Sequence, residues 1–298
     1  MTFYDLHNNC KINSIEKPVT VALGCFDGLH KGHREVIRRA LSYKEPCCVF
    51  TFSSNLFDAP RISSLEAKLK ILSGLGVAYA CIFDFSQICD MSWEEFASDI
   101  LIEKLGAVRV VCGFNYTFGK GAEGDPALLC DFMKKHGFEC IVVDEVKLSG
   151  ETVSSSAVRS ALAAGDCEKA NELLGRVYSI KYKVIHGNGL GSDFDFPTIN
   201  HLLSPGDAGL ARGVYICSCE GHPAVTNVGI RPTIVDGSGE VYETFIIDYK
   251  KDLYGKEINV NFHKKIRDEH KFPSVEELKK QIQRDVEVCL EYFKTHEI

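Results

Sequence analysis

The first 175 residues of this 298-residue chain alternate between short, continuously apolar runs and amphipathic segments. The apolar runs are "TVALGCF", "CCVFTF", "YACIFDF", "VRVVCGF" and "ECIVVDEVKL", and a segment with helical periodicity follows each of them. Strands that are apolar on both faces and are separated by amphipathic helices are typical of a parallel sheet covered by helices on both sides. The pattern therefore predicts an α/β domain over residues 1–175.

The pattern changes near Gly175. Short β-like runs follow, among them "VYSIKYKVI", "GVYICSCE" and "VYETFIIDY", and turn-rich stretches such as "SPGDAG" and "VDGSGE" separate them. The chain ends in one amphipathic segment, "SVEELKKQIQRDVEVCLEYF". Residues 176–298 are therefore predicted to form a small antiparallel barrel or sandwich with a C-terminal helix.

Composition narrows the function classes. The net charge of −7 and the pI of about 5.8 make the chain a poor candidate for non-specific binding to nucleic acid or to a membrane surface. We find neither a signal peptide in the first twenty residues nor a run of 18 apolar residues. The 13 cysteines are an odd number and include no CxxC pair, which predicts reduced, mostly buried thiols and a cytoplasmic location.

The stretch "GCFDGLHKGH", residues 24–33, follows an apolar run and leads into a helix that we expect to begin near Gly32. A helix N-terminus offers free N–H groups and partial positive charge, which suits a phosphate. His30 and His33 are three residues apart and can face the same side, while Gly28 and Gly32 let the backbone approach a ligand closely. The stretch predicts an anion site; the alternative is a pair of solvated loop histidines.

A second stretch, "VSSSAVRSAL" at residues 153–162, opens a helix with three hydroxyl groups and places Arg159 one turn further on. These groups can hold a phosphate, and the alternative is that the serines only cap the helix. The glycine-rich "GKGAEG", Gly119 to Gly124, matches a dinucleotide-binding pattern, but "NYTF" separates it from its strand. We therefore expect a mobile loop there.

The second half contains "HGNGLGSDFDFPTIN", residues 186–200, whose glycines could fold over phosphates. Thr198 and Asn200 are two residues apart, so in an extended segment both face one side, where their oxygens suit magnesium shared with nucleotide phosphates. The alternative is a β-turn region with a hydrogen-bonded asparagine. Glu243 lies among apolar residues in "VYETFIIDY", where a carboxylate is costly unless it is partnered or serves as a base.

Together these stretches resemble the bacterial bifunctional riboflavin kinase/FMN adenylyltransferase family over essentially the whole chain. "GCFDGLHKGH", "GFNYTFGKGAEGD" and "VSSSAVR" are similar to the motifs of its nucleotidyltransferase module. Six further stretches resemble motifs of the kinase module and occur in the same order. They are "HGNGLGSDFDFPTIN", "GVY", "NVGIRPT", "ETFIIDY", "DLYG" and the flavin-proximal "IRDEHKF".

The resemblance implies a Rossmann-like nucleotidyltransferase domain with a parallel sheet over residues 1–175. A small antiparallel β-barrel riboflavin kinase domain with a C-terminal helix would follow over residues 176–298. The implied reactions are phosphorylation of riboflavin to FMN and adenylylation of FMN to FAD with release of pyrophosphate. The implied ligands are ATP with Mg²⁺, riboflavin, FMN and FAD. We expect no nucleic-acid or membrane partner, and a monomer or a weakly self-associating chain.

The resemblance also assigns roles to individual residues. His30, His33 and Glu243 would be catalytic. The nucleotide-binding residues of the first half would be Gly24, Phe26, Asp27, Gly28, Gly32, Asn115, Ser154, Ser155, Ser156 and Arg159. Those of the second half would be Gly187, Gly189 and Gly191, with Thr198 and Asn200 as metal ligands and Gly213, Tyr215, Arg231 and Arg267 as flavin contacts.

One departure from the family pattern leaves an alternative open. Where the family carries an Asp/Ser-Pro-His-Pro turn after "FTF", this chain has "SSN", residues 53–55. That turn borders the adenylylation site, so a riboflavin kinase with a weakened or lost adenylyltransferase half is the alternative reading. A flavin-binding or regulatory protein without turnover is a third alternative. The set of Thr198, Asn200 and Glu243 argues against it, because binding alone needs no base.

Overall fold

The computed structural model describes residues 1–5, 15–53, 59–185, 196–230 and 240–298. By its internal contacts the chain divides into two compact units, Met1–Ser155 and Ser156–Ile298. The division falls before the two helices that end the predicted α/β domain, so those helices group with the second unit. The domain boundary at residue 175 stays a prediction.

A parallel sheet of six strands forms the centre of the first unit. The strands are β1 (Thr2–Asp5), β2 (Val19–Leu23), β3 (Cys47–Phe52), β4 (Tyr79–Phe83), β5 (Ala107–Gly113) and β6 (Glu139–Val143). Their order is β1–β4–β3–β2–β5–β6, and every pairing is parallel. The predicted α/β fold with a parallel sheet is confirmed.

Helices cover both faces of this sheet. They are α1 (Lys31–Leu41), α2 (Leu65–Gly74), α3 (Trp93–Glu95), which continues as a π-helical segment (Phe96–Lys104), and α4 (Pro126–Lys135). Successive residues of β2 and β3 enter two different cores: Val21 and Phe50 pack with the π-helical segment and α4, whereas Ala22 and Val49 pack with α1 and α2. The strands are continuously apolar because both faces are buried. A short hairpin of β7 (Lys147–Leu148) and β8 (Glu151–Thr152) follows the sheet.

The strand order reverses at β2. Strands β3 and β4 lie on one side of β2, and β5 and β6 lie on the other. The loops that leave the carboxyl ends of β2 and β5 therefore run in opposite directions and open a crevice between them, the usual ligand site of such sheets. Both nucleotidyltransferase-like stretches, residues 24–33 and 113–125, begin at this point.

The second unit is built on six antiparallel strands. They are β9 (Tyr178–Lys183), β10 (Thr198–Leu202), β11 (Gly213–Cys219), β12 (His222–Ile230), β13 (Glu240–Ile246) and β14 (Glu257–Arg267). Their order is β10–β13–β12–β11–β14–β9, and the N–H of Ile185 donates to the carbonyl of Asn200 at 2.9 Å, which joins the two edges. The predicted antiparallel barrel is confirmed.

Three further helices complete the described chain. They are α5 (Ser155–Ala164), α6 (Cys167–Leu174) and α7 (Val275–Tyr292). The amide of Asn171 on α6 donates to the carbonyl of Phe262 at 2.9 Å, and its oxygen accepts the N–H of Tyr178 at 2.6 Å. Helix α7, the predicted C-terminal helix, packs Val286 and Cys289 against Val214 and other residues on the outer face of the barrel.

The mobility expected of the Gly119–Gly124 loop stays a prediction. In the structure the N–H of Lys120 donates to the carbonyl of Met91 at 2.7 Å, and the N–H of Gly124 donates to the carbonyl of Phe118 at 2.8 Å. The expectation of reduced thiols is wrong for one pair of cysteines. Cys130 of α4 and Cys140 of β6 form a disulfide, although ten other cysteines in the described ranges are free.

No described helix combines the length and apolar character needed to cross a membrane.

A buried histidine makes the stability of the second unit depend on pH. His201 is fully buried, its Nε2 lies 3.0 Å from Thr244 Oγ1, and its ring stacks on that of Tyr182 at 4.3 Å. Burial lowers the pKa of His201 from 6.5 to about 3. Between these values the unfolded chain binds a proton at His201 that the folded barrel does not. The contribution of His201 to the free energy of unfolding is therefore fully present above pH 6.5 and falls by about 1.4 kcal/mol per pH unit below it.

We expect the variant His201→Phe to lose this contribution. From pH 7 to pH 5, its free energy of unfolding should fall by about 2 kcal/mol less than that of the unchanged protein. Urea denaturation at both pH values measures the difference. Hydrogen exchange of the β10 and β13 amides measures it within the barrel. Equal pH dependence in the two proteins would contradict the prediction.

Candidate functional site

The turn after β2 has an unusual backbone. Phe26, Gly28 and Leu29 have φ angles of 52°, 76° and 46°, which lie in the left-handed region. A Cβ atom at Gly28 would lie 2.9 Å from Cγ2 of Ile62, so a larger residue would strain both the backbone and the packing. The turn is therefore compact and leads directly into α1.

His30 caps α1. Its Nδ1 accepts the backbone N–H of His33 at 3.3 Å, and the helix begins at Lys31, one residue before the predicted start. Because Nδ1 accepts this hydrogen bond, Nε2 is the ring nitrogen that can carry a proton and donate. The rings of His30 and His33 stack with centroids 3.6 Å apart and an angle of 19°. The sequence alone did not show that one of these two histidines is itself the N-cap of the helix.

The other residues of this stretch support the two imidazoles. Phe26 is fully buried and its ring lies edge-on to His33 at 5.3 Å. Gly24 lies against the Phe26 ring and Gly32 against the His30 ring. The side chain of Phe26 therefore shapes the site from beneath.

Asp27 links the turn to two other segments. Its buried carboxylate accepts the N–H groups of Ile62 at 3.0 Å and Ser63 at 3.3 Å. Its backbone carbonyl accepts the hydroxyl of Ser155 at 3.0 Å. The carboxylate thus holds the segment before α2, and Ser155 brings the second predicted stretch to the first.

The remaining predicted nucleotide contacts of the first half lie as follows. Asn115 is exposed in the turn directly after β5, at the carboxyl edge of the sheet. Ser154 is half-buried just before α5. Ser156 is exposed and Arg159 half-buried on α5, and both belong to the second unit by contacts. The histidine pair, Ser155 and the N-terminus of α1 form an arrangement that can bind phosphate.

A second site is a cavity of about 680 Å³ on the outer face of the barrel, beside α7. This volume is in the range of sites that bind small molecules. Its apolar wall includes Phe196, Val214, Val225, Phe245, Leu278 and Ile282. Its polar wall includes Thr198, Asn200, Asn227, Glu243, Arg267 and Asp285. The structure therefore brings together four of the predicted kinase residues: Thr198, Asn200, Glu243 and Arg267.

The strand register explains this meeting. Glu243 of β13 lies directly opposite Asn200 of β10 on one side and Asn227 of β12 on the other. Side chains opposite each other in neighbouring strands have Cβ atoms about 5 Å apart. Thr198 lies two residues from Asn200 on the same face of β10. The result is a carboxylate with neutral oxygen and amide groups as its neighbours on the adjacent strands, within a cavity that has one apolar and one polar wall.

Asp285, which the sequence does not single out, holds Arg267. The carboxylate of Asp285, itself 2% exposed, accepts from Arg267 Nε at 3.1 Å and from Nη2 at 2.8 Å, and Gln281 donates to it at 2.9 Å. A signal was present, because Asp285 lies on the apolar stripe of α7 beside Ile282 and Val286. A charge on such a stripe needs a partner.

Gly213 and Tyr215 do not line the cavity. They share the face of β11 opposite to that of Val214, and the hydroxyl of the fully buried Tyr215 donates to the carbonyl of Ala211. Gly213 lies so close to β14 that a Cβ atom would clash with Arg267. The flavin contacts expected of these two residues stay a prediction. Four other predicted contacts lie outside the described residues: Gly187, Gly189, Gly191 and Arg231.

Fold and sites together define a transferase of two parts: a nucleotidyltransferase-like parallel sheet and an antiparallel barrel with a ligand cavity. Family models agree with this class, since one described as FAD synthetase matches residues 12–157 and one described as riboflavin kinase matches residues 174–293. Two curated relatives are named bifunctional riboflavin kinase/FMN adenylyltransferase. The one from Buchnera aphidicola is 33% identical over 98% of this chain and 97% of its own length, and the one from Escherichia coli K12 is 34% identical over 92% of each.

The chain belongs to the bifunctional riboflavin kinase/FMN adenylyltransferase family. It is a kinase and nucleotidyltransferase of FAD biosynthesis, and the alternative of a lost adenylyltransferase half is not favoured. A crystal structure described as a macrolide-efflux protein from Streptococcus pneumoniae is also similar, with 30% identity and a TM-score of 0.84 over 97% of this chain and 99% of that one. That likeness shows a shared fold.

Breaking the buried pair of Asp285 and Arg267 should lower the free energy of unfolding more than breaking an exposed ion pair. Asp285→Ala should lower the free energy of unfolding by about 3 kcal/mol, because it leaves a largely buried guanidinium without its carboxylate. Glu35→Ala removes the partner of the exposed Arg38, 2.5 Å away, and should cost much less, because solvent screens that pair. Urea denaturation measures both, and equal costs would contradict the assignment.

Proposed function

We propose that the cavity beside α7 phosphorylates riboflavin and that the histidine pair at α1 serves adenylylation of FMN. The observation that carries this proposal is the placement of Glu243 between Asn200 and Asn227 within one cavity. A purely binding site would have no use for a carboxylate at that position, whereas a phosphoryl acceptor needs a base.

In the kinase site, Glu243 takes the proton of the ribityl 5′-hydroxyl. That oxygen attacks the γ-phosphorus of ATP, the bond to the β–γ bridging oxygen breaks, and FMN and ADP result. Phe245, Val214 and Val225 offer apolar surface for the flavin ring, and Arg267, held by Asp285, lies at the same wall.

Thr198 and Asn200 would hold Mg²⁺ together with the phosphates of ATP. The donor set fits this ion, because both residues present neutral oxygens on one strand face that also bears the carboxylate of Glu243. When bound, Mg²⁺ neutralises charge on the phosphates. Gly187, Gly189 and Gly191 are proposed to cover the nucleotide, and Arg231 to contact the flavin, on the basis of the resemblance.

In the adenylyltransferase site, a phosphate oxygen of FMN attacks the α-phosphorus of a second ATP, and pyrophosphate leaves. His30 donates from Nε2 and His33 acts beside it, and the free N–H groups of α1 add positive potential. Ser154, Ser155, Ser156 and Arg159 are proposed to grip the phosphates, with Asn115 at the nucleotide. Every step is a direct transfer, so no covalent enzyme intermediate forms.

We assign adenylyltransferase activity to residues 1–175 and kinase activity to residues 176–298. The matched regions support a junction near residue 175, since they end at 157 and resume at 174. We also propose a cytoplasmic location: ten described cysteines are free, although Cys130 and Cys140 are joined by a disulfide. For the oligomeric state we propose a monomer or weak self-association, which size-exclusion chromatography tests.

Chromatography of the products tests the proposal directly. Purified protein with riboflavin, ATP and Mg²⁺ should form FMN first and then FAD. Absence of both products across a range of metals and reductants would overturn it. Accumulation of FMN without FAD would instead indicate a kinase with an inactive adenylyltransferase half.

Reciprocal variants should separate the two reactions. Glu243→Gln should reduce riboflavin phosphorylation at least 100-fold, because it removes the base, while added FMN is still converted to FAD. The double variant His30→Ala/His33→Ala should block FAD formation and leave FMN formation intact. Each variant is the control for the other, and loss of both activities in either one would contradict the division of labour.

A further inference from the structure

A buried lysine lies beside the turn after β2. Lys68 of α2 is 6% exposed, and its Nζ donates to Cys25 O at 2.9 Å, Thr51 Oγ1 at 3.2 Å and Phe52 O at 3.2 Å. An ammonium has three donors, and all three are used. Burial lowers the pKa of Lys68, and the carboxylate of Asp27 opposes this effect. A buried ammonium is costly, so its position needs a reason.

The contacts of Lys68 converge on one carbonyl group. Cys25 O also accepts the hydroxyl of Thr51 at 2.9 Å, and Thr51 is fully buried. Cys25 directly precedes Phe26, where the left-handed backbone begins. The carbonyl at the entrance of the turn is therefore fixed from α2 and from β3 together.

The segment before α2 fixes the other side of the same turn. The hydroxyl of Ser63 accepts the N–H of Gly28 at 3.2 Å, and the N–H groups of Ile62 and Ser63 bind the Asp27 carboxylate. The turn thus has one anchor at Cys25 and another at Asp27 and Gly28. Phe26, between the anchors, lies against His33.

We propose that Lys68 is a positioning residue of the adenylyltransferase site. By holding the Cys25 carbonyl it sets the direction in which the turn delivers His30 and His33 to the phosphates of ATP. This inference rests on the adenylyltransferase proposed above. The anchors also lie close in the chain to "SSN", where the sequence departs from the family pattern. Phe52, before that stretch, accepts a hydrogen bond from Lys68, and Ile62, after it, donates one to Asp27.

The variant Lys68→Met tests the role, because methionine fills similar space without donors. We expect kcat for FMN adenylylation to fall about 100-fold, the effect of misplacing catalytic groups by about 1 Å. KM for ATP and FMN should stay within about threefold, and kcat for riboflavin phosphorylation should not change. Lys70→Met, on the same helix but exposed, is the matched control and should leave all values unchanged.

A second variant keeps the test decisive if Lys68→Met does not fold. Thr51→Val removes one of the two donors to Cys25 O with little change of shape, and we expect kcat for adenylylation to fall about 10-fold. If the unchanged protein makes no FAD, the proposed function fails. If it does, a kcat within threefold for Lys68→Met, a rise in KM alone, or equal losses in both reactions overturns the positioning role. If Lys68→Met does not fold, the positioning role is also overturned when Thr51→Val keeps kcat for adenylylation within twofold of the unchanged protein.

Discussion

The left-handed turn after β2 is the constraint on which the first site depends. Left-handed backbone at Phe26 and Leu29 costs about 1–3 kcal/mol per residue and persists only where the surroundings enforce it. Both side chains are fully buried, and Asp27 ties the turn to the segment before α2. This arrangement turns the chain sharply enough that α1 begins at the carboxyl edge of the sheet, with His30 as its cap.

In the second unit the corresponding constraint is the two-residue period of the strands. One face of β10, β12 and β13 carries Asn200, Asn227 and Glu243 in the cavity, while the alternate residues His201 and Thr244 are buried inside the barrel. Aromatic rings fill much of that interior, which directs the ligand site to the outer face beside α7. A shift of the register by one residue would exchange the two sets, so stability and catalysis depend on the same pairing.

Sequence reasoning succeeded where the signal is local. The apolar runs predicted the parallel sheet, and the change near Gly175 predicted an antiparallel barrel or sandwich. The spacing of Thr198 and Asn200 predicted their shared face, which lines the cavity. It missed Lys68 and Asp285. The position of Asp285 on the apolar stripe of α7 showed that this charge needs a partner, but neither residue's partner could be read from the sequence, because each partner is distant in the chain. Lys68 is 43 residues from Cys25, and Asp285 is 18 from Arg267.

The sequence by itself determined the order of elements, the two-unit class and the residue types of both sites, because periodicity and motif spacing are properties of the chain. The tertiary structure decided which side chains meet. Tyr215 lies inside the barrel. The sequence could not show this, because closure of the whole sheet decides which face of a strand points inward. His30 caps the helix and Phe26 packs against His33 because the turn is enforced by contacts from Ile62, before α2, and from Ser155, which are distant in the chain.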